Sequence, residues 1–210
     1  MVTAVSGDAR AARPSEARER LLRTASALFY AEGVRAVGVD RVVAEAAVTR
    51  ATFYRHFPGK QDLVVAYLQG VDAAVRRAAG DVPEEPAAAA GWLRRFSGRV
   101  SGELCGGGFR GCPFINAAAE HPDATGPVRR AVAAHRRWLV STVTAVFERT
   151  GHPDPSAAAQ RWLVLRDGAM VAGYLSDPAA AAAALRDGAE DLLAAGPEPQ
   201  RTGAATAPGR

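Results

Sequence analysis

The 210-residue sequence predicts an all-α protein, in which three short helices lead into a bundle of longer ones. Three observations carry that reading. Apolar residues recur at three- and four-residue spacing along almost the whole chain. Helix-start signals stand before the periodic runs, among them Ser15, Thr49, Asp154-Pro155 and Asp177-Pro178. No stretch alternates apolar and polar residues as a half-buried strand would.

Taken in order, Ser15 caps a first helix whose Leu21, Leu22, Ala25, Leu28 and Phe29 form one stripe, and Gly33 ends it. Val39, Val42, Val43 and Ala46 give a short second helix. Thr49 caps a third, which runs through Phe57 and is broken by Pro58-Gly59. A fourth spans about Lys60 to Ala79, and a fifth about 87–104 with Trp92, Phe96 and Val100 on one face. The glycine-rich segment from Cys105 to Gly111 interrupts the pattern, and a short helix follows Pro113. Val128, Val132, His135, Leu139, Thr142 and Val146 then share a helical face. Helices of roughly 155–175 and 178–195 complete the chain; the alanine tracts at 87–90 and 179–184 favour helix on propensity alone. The expected organisation is a disordered tail (1–13), a three-helix unit (14–59), a helical bundle (60–195) and a second disordered tail (196–210) rich in proline.

Charge placement says more than its total. Residues 1–60 carry ten basic and six acidic side chains, whereas residues 61–210 carry sixteen of each. The whole excess of +4 therefore lies in the first 60 residues, as expected if that part alone meets a polyanion. Lys60 is the only lysine, and the wealth of Arg, Ala and Gly looks like GC-rich coding bias. No apolar run reaches the length of a membrane span, and residues 1–14 lack a signal-peptide core. Cys105 and Cys112 do not make a secreted disulfide framework, so a cytoplasmic protein without membrane attachment is expected.

Residues 39–63 carry the most specific signal. A short helix, a tight turn and a second helix with an apolar inner face and a polar outer face fit a helix-turn-helix. Phe53 and Phe57 are placed to pack inward, leaving Arg50, Ala51, Thr52, Tyr54, Arg55 and His56 around the start and outer face. The small and hydrogen-bonding residues of the first turn suit approach to a groove floor. The run Val48-Thr49-Arg50-Ala51-Thr52-Phe53-Tyr54-Arg55-His56-Phe57, with Lys60 and Leu63, resembles the signature of TetR-family transcriptional regulators. The close match covers about 45 residues. The resemblance implies a three-helix DNA-binding domain followed by a helical-bundle ligand-binding and dimerisation domain. Gly111-Cys112-Pro113 is similar to a motif found after the fifth helix in one branch of that family. One departure stands out: Ala47 occupies the turn position where glycine is usual, and a left-handed conformation there would cost alanine roughly 1 kcal/mol.

Roles follow residue by residue. Thr49 caps the reading helix and can meet a phosphate. Arg50 and Arg55 are long donors for a guanine edge or the backbone, and Ala51 and Thr52 can touch a thymine methyl. Tyr54 and His56 resemble family positions that contact phosphate or a base edge. Lys60, at the start of the fourth helix, favours a phosphate.

Other motifs are weighed and set aside. Gly106, Gly108 and Gly111 satisfy G-x-G-x-x-G, but that fingerprint needs a strand before it and none is predicted. A thiol switch at Cys105 and Cys112 is weighed against a small buried hydrophobe, the plainer reading of such residues. His56, His121, His135 and His152 form no metal pattern, and His135 falls on an apolar stripe. Arg166 and Asp167 interrupt an apolar helix, as exposed residues or as an ion pair across an interface. No nucleophile–base pair can be argued from spacing, so neither a catalytic residue, a metal nor a cofactor is expected.

The expected function is a homodimeric repressor, released from an inverted-repeat double-stranded DNA operator by a small apolar or aromatic effector. Its pocket would draw on Trp92, Phe96, Cys112, Phe114, Asn116, His135, Trp138, Met170 and Tyr174. Its dimer contact would draw on the small residues Ala169, Ala172, Gly173 and Ser176 and the stripe Leu185, Ala189, Leu192 and Leu193. The alternative is a DNA-binding regulator without a small-molecule pocket, controlled by a protein partner or by cysteine redox chemistry. An all-α enzyme with a fortuitous helix-turn-helix is the third class, and failure to bind any DNA would revive it.

Overall fold

A computed structural model describes residues 15–195, so the two tails expected at 1–13 and 196–210 lie outside the described residues. Nine helices and no strand occur among the described residues, as the periodicity predicts. They are α1 (Glu16–Glu32), α2 (Val39–Glu45), α3 (Arg50–His56), α4 (Lys60–Ala79), α5 (Pro86–Leu104), α6 (Pro113–Glu120), α7 (Pro127–Arg149), α8 (Pro155–Leu175) and α9 (Pro178–Ala194).

Local chemistry sets most of these boundaries. Ser15 Oγ accepts from the Arg18 amide, Thr49 Oγ1 from Thr52, and Asp154 and Asp177 from amides of their own first turns. Glu85 does the same for Ala87 and Ala88, a cap the sequence reading did not name. From α5 onward every helix opens on proline, whose missing N–H costs nothing in a first turn. The end of α2 is a Schellman turn: the Ala47 amide donates to the carbonyl of Ala44 and the Val48 amide to that of Val43. Ala47 sits at φ +50°, the only non-glycine described residue with positive φ. The usual turn is thus kept, with alanine bearing the steric cost in glycine's place.

Helices α1 to α3 pack together around Leu21, Ala25, Val37, Val42 and Phe53, and α1 also packs on α4. Helices α5, α7, α8 and α9 form the bundle, with α4 and α6 laid against α7. Two buried polar pins fix α5 in it: Trp162 Nε1 donates to Ser97 Oγ at 3.0 Å, and Ser101 Oγ to the carbonyl of Ala182 at 3.1 Å. Each satisfies a polar group that would otherwise be costly to bury.

The expected dimer stripe needs correction. Leu185, Ala189, Leu192 and Ala169 are buried within the protomer, because α9 lies between α5 and α8 and turns its apolar face inward. Gly173 packs on Leu104 of α5 and is half-buried, as are Ala172 and Leu193; Ser176 is exposed and donates to the carbonyl of Ala172. Among the described residues, the large apolar side chains left exposed belong, Tyr54 of α3 apart, to α8: Val164, Leu165, Val171, Tyr174 and Leu175, the last 73% exposed.

Candidate nucleic-acid interface and effector cavity

Helix α3 buries Phe53 and Phe57 as their spacing requires, the guanidinium of Arg18 lying 5.3 Å from the Phe57 ring. The opposite face presents Arg50, Ala51, Tyr54 and Arg55 to solvent. Arg50 Nε donates to Asp40 Oδ1 of α2 at 2.6 Å, yet both side chains are about two-thirds exposed. A pair so open to water is weak and readily exchanged for another anion. The ring of Tyr54 stands edge-on to Phe53 at 5.1 Å, which fixes its direction outward.

Three of the expected contact residues sit differently from the rest. Thr52 is half-buried, with its hydroxyl 3.0 Å from that of Thr49. His56 turns back toward α1, where Nε2 is hydrogen-bonded to Ser15 Oγ at 3.0 Å. Lys60 Nζ donates to the carbonyl of Arg35 at 3.3 Å, and burial lowers its pKa against the opposing pull of Glu120. Lys60 therefore ties α4 to the loop after α1, a role that its place at a helix start did not suggest.

The bundle holds a cavity of about 520 Å³. Its walls are Val71, Ala74, Val75 and Ala78 of α4, Phe96, Arg99, Val100 and Glu103 of α5, the glycine loop, and the start of α6. Leu139 and His135 of α7, with Met170 and Arg166 of α8, close the far side. Five of the nine expected pocket residues line it: Phe96, Cys112, Phe114, His135 and Met170. The other four are employed elsewhere. Trp92 is buried and donates to the carbonyl of Ala79, satisfying the end of α4. Asn116 donates to the carbonyl of Arg110 and orders the glycine loop. Trp138 lies under Arg76, and Tyr174, on the outside of α8, under Arg110. Sequence spacing found aromatic residues but not which side of each helix faces the void.

Polar groups in the cavity are few and specifically held. His135 Nδ1 donates to Asp72 Oδ1 at 2.7 Å, and its ring stacks on Phe114 at 3.7 Å. Burial lowers the His135 pKa; the Asp72 hydrogen bond opposes and nearby Arg166 assists. Arg166, expected at the surface or across an interface, is instead inside: Nη1 donates to Asp167 at 2.9 Å and Nη2 to the Cys112 sulfur at 3.4 Å. Asp167 also accepts from Arg136. Glu103 has open surface while packing raises its pKa; that surface belongs to the cavity mouth, where the carboxylate lacks the freedom of bulk water. Cys112 is buried in the cavity wall, whereas Cys105 is exposed with its thiol toward the carbonyl of Pro178, so the two thiols have separate surroundings.

Two contacts join the cavity to the three-helix unit, and neither has a signature in sequence spacing. Tyr30 of α1 is itself a wall residue, its hydroxyl accepting from the Arg110 amide at 3.0 Å and donating to the carbonyl of Gly111. At the other end of α6, Glu120 accepts from the amides of Val34 at 3.1 Å and Arg35 at 2.5 Å. Gly33 makes room for that carboxylate: a side chain there would stand 3.2 Å from its oxygen, in a backbone conformation at φ +92°.

Among the described residues no helix is long and apolar enough to cross a membrane, and no cluster of His, Cys, Asp or Glu could hold a metal ion. Residues 21–67, from α1 into α4, match the family described as bacterial regulatory proteins, tetR family. The crystal structure of SCO4454, a TetR-family transcriptional regulator from Streptomyces coelicolor, is 47% identical and superposes with a TM-score of 0.79, covering 85% of this chain and 95% of that one. The HTH-type transcriptional regulator TcmR of Streptomyces glaucescens is 34% identical over 95 residues, 42% of this chain and 41% of its own. LmrA of Bacillus subtilis (strain 168), another HTH-type transcriptional regulator, is 26% identical over 126 residues, 59% of this chain and 67% of its own.

Proposed function

This chain belongs to the TetR family of DNA-binding transcriptional regulators, and from that premise we propose that it acts as a homodimeric repressor released from its operator by a small molecule in the 520 Å³ cavity. The observation that carries the proposal is Tyr30. A residue of the DNA-reading unit forms part of the cavity wall, so an occupant touches that unit directly. Glu120 adds a second link, since α6 begins in the cavity wall at Cys112 and ends on the amides of Val34 and Arg35. An occupant that shifts α6 must move these contacts or break them, and a differential of about 1–3 kcal/mol suffices for a 5–150-fold change in DNA affinity.

On this reading the division at 59/60 separates the DNA-reading unit from the regulatory unit. Arg50, Ala51, Tyr54 and Arg55 form the reading surface, with Thr49 and Thr52 at its start; Lys60 and His56 hold the unit together and reach phosphate only at its edge. The exposed stripe Val164, Val171 and Leu175 on α8 supports the dimer, because exposed apolar residues clustered on one helix face usually meet a partner. A two-fold dimer places two copies of α3 one helical turn of DNA apart, hence an inverted repeat.

The test is an anisotropy titration at fixed salt with DNA flanking the gene and a shuffled control. A preference of at least about 10³-fold for the flanking DNA is expected. Arg50→Ala is expected to cost about 1–3 kcal/mol and to relax one operator position; a uniform loss over all sequences assigns Arg50 to phosphate instead. Equal, weak binding to flanking and genome-selected DNA alike would sink the repressor reading.

A further inference from the structure

Three charged side chains line the cavity, and they are not balanced. Glu103 sits at the mouth, where packing around its carboxylate disfavours the charged form. Arg99 lies one helical turn before it on α5, also in the wall. Arg166 reaches the cavity from α8 with a side chain only 11% exposed. The one carboxylate it hydrogen-bonds, Asp167, is shared with Arg136, so that carboxylate serves two guanidinium groups; Glu103 acts on Arg166 only through space. On its remaining side, Arg166 Nη2 has only the sulfur of Cys112, a weak acceptor. A smaller void of about 270 Å³ adjoins the first across Cys112, Phe114, His135, Leu139 and Arg166. Arg129 and Arg136 line it too, and no carboxylate does. The α6 helix starts beside Arg166 with no side-chain cap on its first turn. Arg166 is therefore the buried cation at the Cys112 sulfur, and the walls around the pair are mostly apolar.

We propose that the cavity takes a small organic carboxylate, with its ring or branched body against Phe96, Val100, Phe114 and Met170 and its carboxylate on Arg166 in place of the Cys112 sulfur. The inference rests on the cavity's being an effector site, as proposed above, and adds the chemical class of the occupant. An anionic oxygen is a far stronger acceptor for a guanidinium than a thiol is, and in a dry site that difference selects acids over neutral isosteres. Arg99, on the same wall, attracts the same charge.

Calorimetric titration of the purified full chain with three probes of one body tests this: 2-naphthoate, 2-naphthamide and 2-naphthylmethylammonium. The acid is expected to bind roughly ten- to a hundredfold more tightly than the amide, and the ammonium least well. Arg166→Gln is expected to abolish the preference and Arg166→Lys to retain part of it. Met170→Trp, which fills the void, is expected to abolish binding of all three. Because Arg166 also holds Asp167, the ranking of the three probes by the unsubstituted protein is the decisive reading should Arg166→Gln fail to fold. Equal binding of acid and amide, or tighter binding of the ammonium, overturns the carboxylate assignment while leaving the cavity an effector site. A preference for the acid that survives both Arg166→Gln and Met170→Trp overturns the placement. Silence from all three probes at millimolar concentration removes the cavity itself as a small-molecule site, and the inference falls with it.

Discussion

Ala47 shows how a single residue can be placed correctly and still carry strain. Its φ of +50° belongs to the left-handed region, and the two hydrogen bonds of the Schellman turn hold it there. Gly151, at the equivalent position after α7, closes the same bond pattern at φ +73° without a side chain to accommodate. Ala47→Gly is therefore expected to raise stability by up to about 1 kcal/mol, glycine's extra chain entropy offsetting part of the relief. The midpoint of urea unfolding measures it, and a loss of stability would show the alanine methyl to be packed rather than strained. Glu120 is a residue of the opposite kind, an ordinary helix-terminal acid in the sequence that proves to accept two amides some 85 positions away. Glu120→Ala is expected to raise hydrogen exchange at the Val34 and Arg35 amides by roughly tenfold or more, with the Arg110 amide held by Tyr30 unchanged. Unaltered exchange at Val34 and Arg35 would remove Glu120 as a link between the two units.

At the scale of elements, helix boundaries were legible because caps and prolines act within one turn. Ser15, Thr49, Asp154 and Asp177 each bond an amide within three residues, so no distant part of the chain is needed to place them. Which face of a helix turns inward is less local. Helix α9 carries an apolar stripe that fits a dimer contact equally well, but α5 covers it; α8 carries less periodicity and leaves Val171 and Leu175, four apart, on its outer side. Changing both to glutamate puts four like charges into a two-fold contact, since each substitution occurs twice. Sedimentation is expected to show association weakened by at least about 2 kcal/mol in favour of the monomer, some thirtyfold in Kd, with helical circular dichroism retained. A dimer of unchanged affinity would move the contact off this face of α8.

For the molecule as a whole, the cavity links chemistry on six helices and one loop, and its buried histidine makes stability depend on pH. His135 is held below its ordinary value mainly by burial, so the unfolded chain binds the proton more readily than the folded one. Stability is then expected to fall as pH drops below about 6.5 and to go on falling toward the lowered folded value. His135→Gln is expected to flatten that slope; an identical pH dependence in urea unfolding would assign it to other groups. The sequence by itself determined the all-α class, the nine helices of the described residues and the outward placing of Arg50, Ala51, Tyr54 and Arg55 on α3, because periodicity, caps and proline positions are short-range physics. It did not determine that Thr52 is half-buried or that His56 turns back to Ser15. It also singled out Phe96, Cys112, Phe114, His135 and Met170 for the cavity, since apolar and aromatic residues on helix stripes must meet something inside. Only the tertiary structure decided that Arg166 points inward beside Cys112, that Tyr30 and Glu120 tie α6 to the DNA-reading unit, and that α8 rather than α9 offers an apolar face to solvent. Those outcomes depend on how helices far apart in the chain are rotated against one another, and that rotation is set by the packing of the whole core rather than by any one segment.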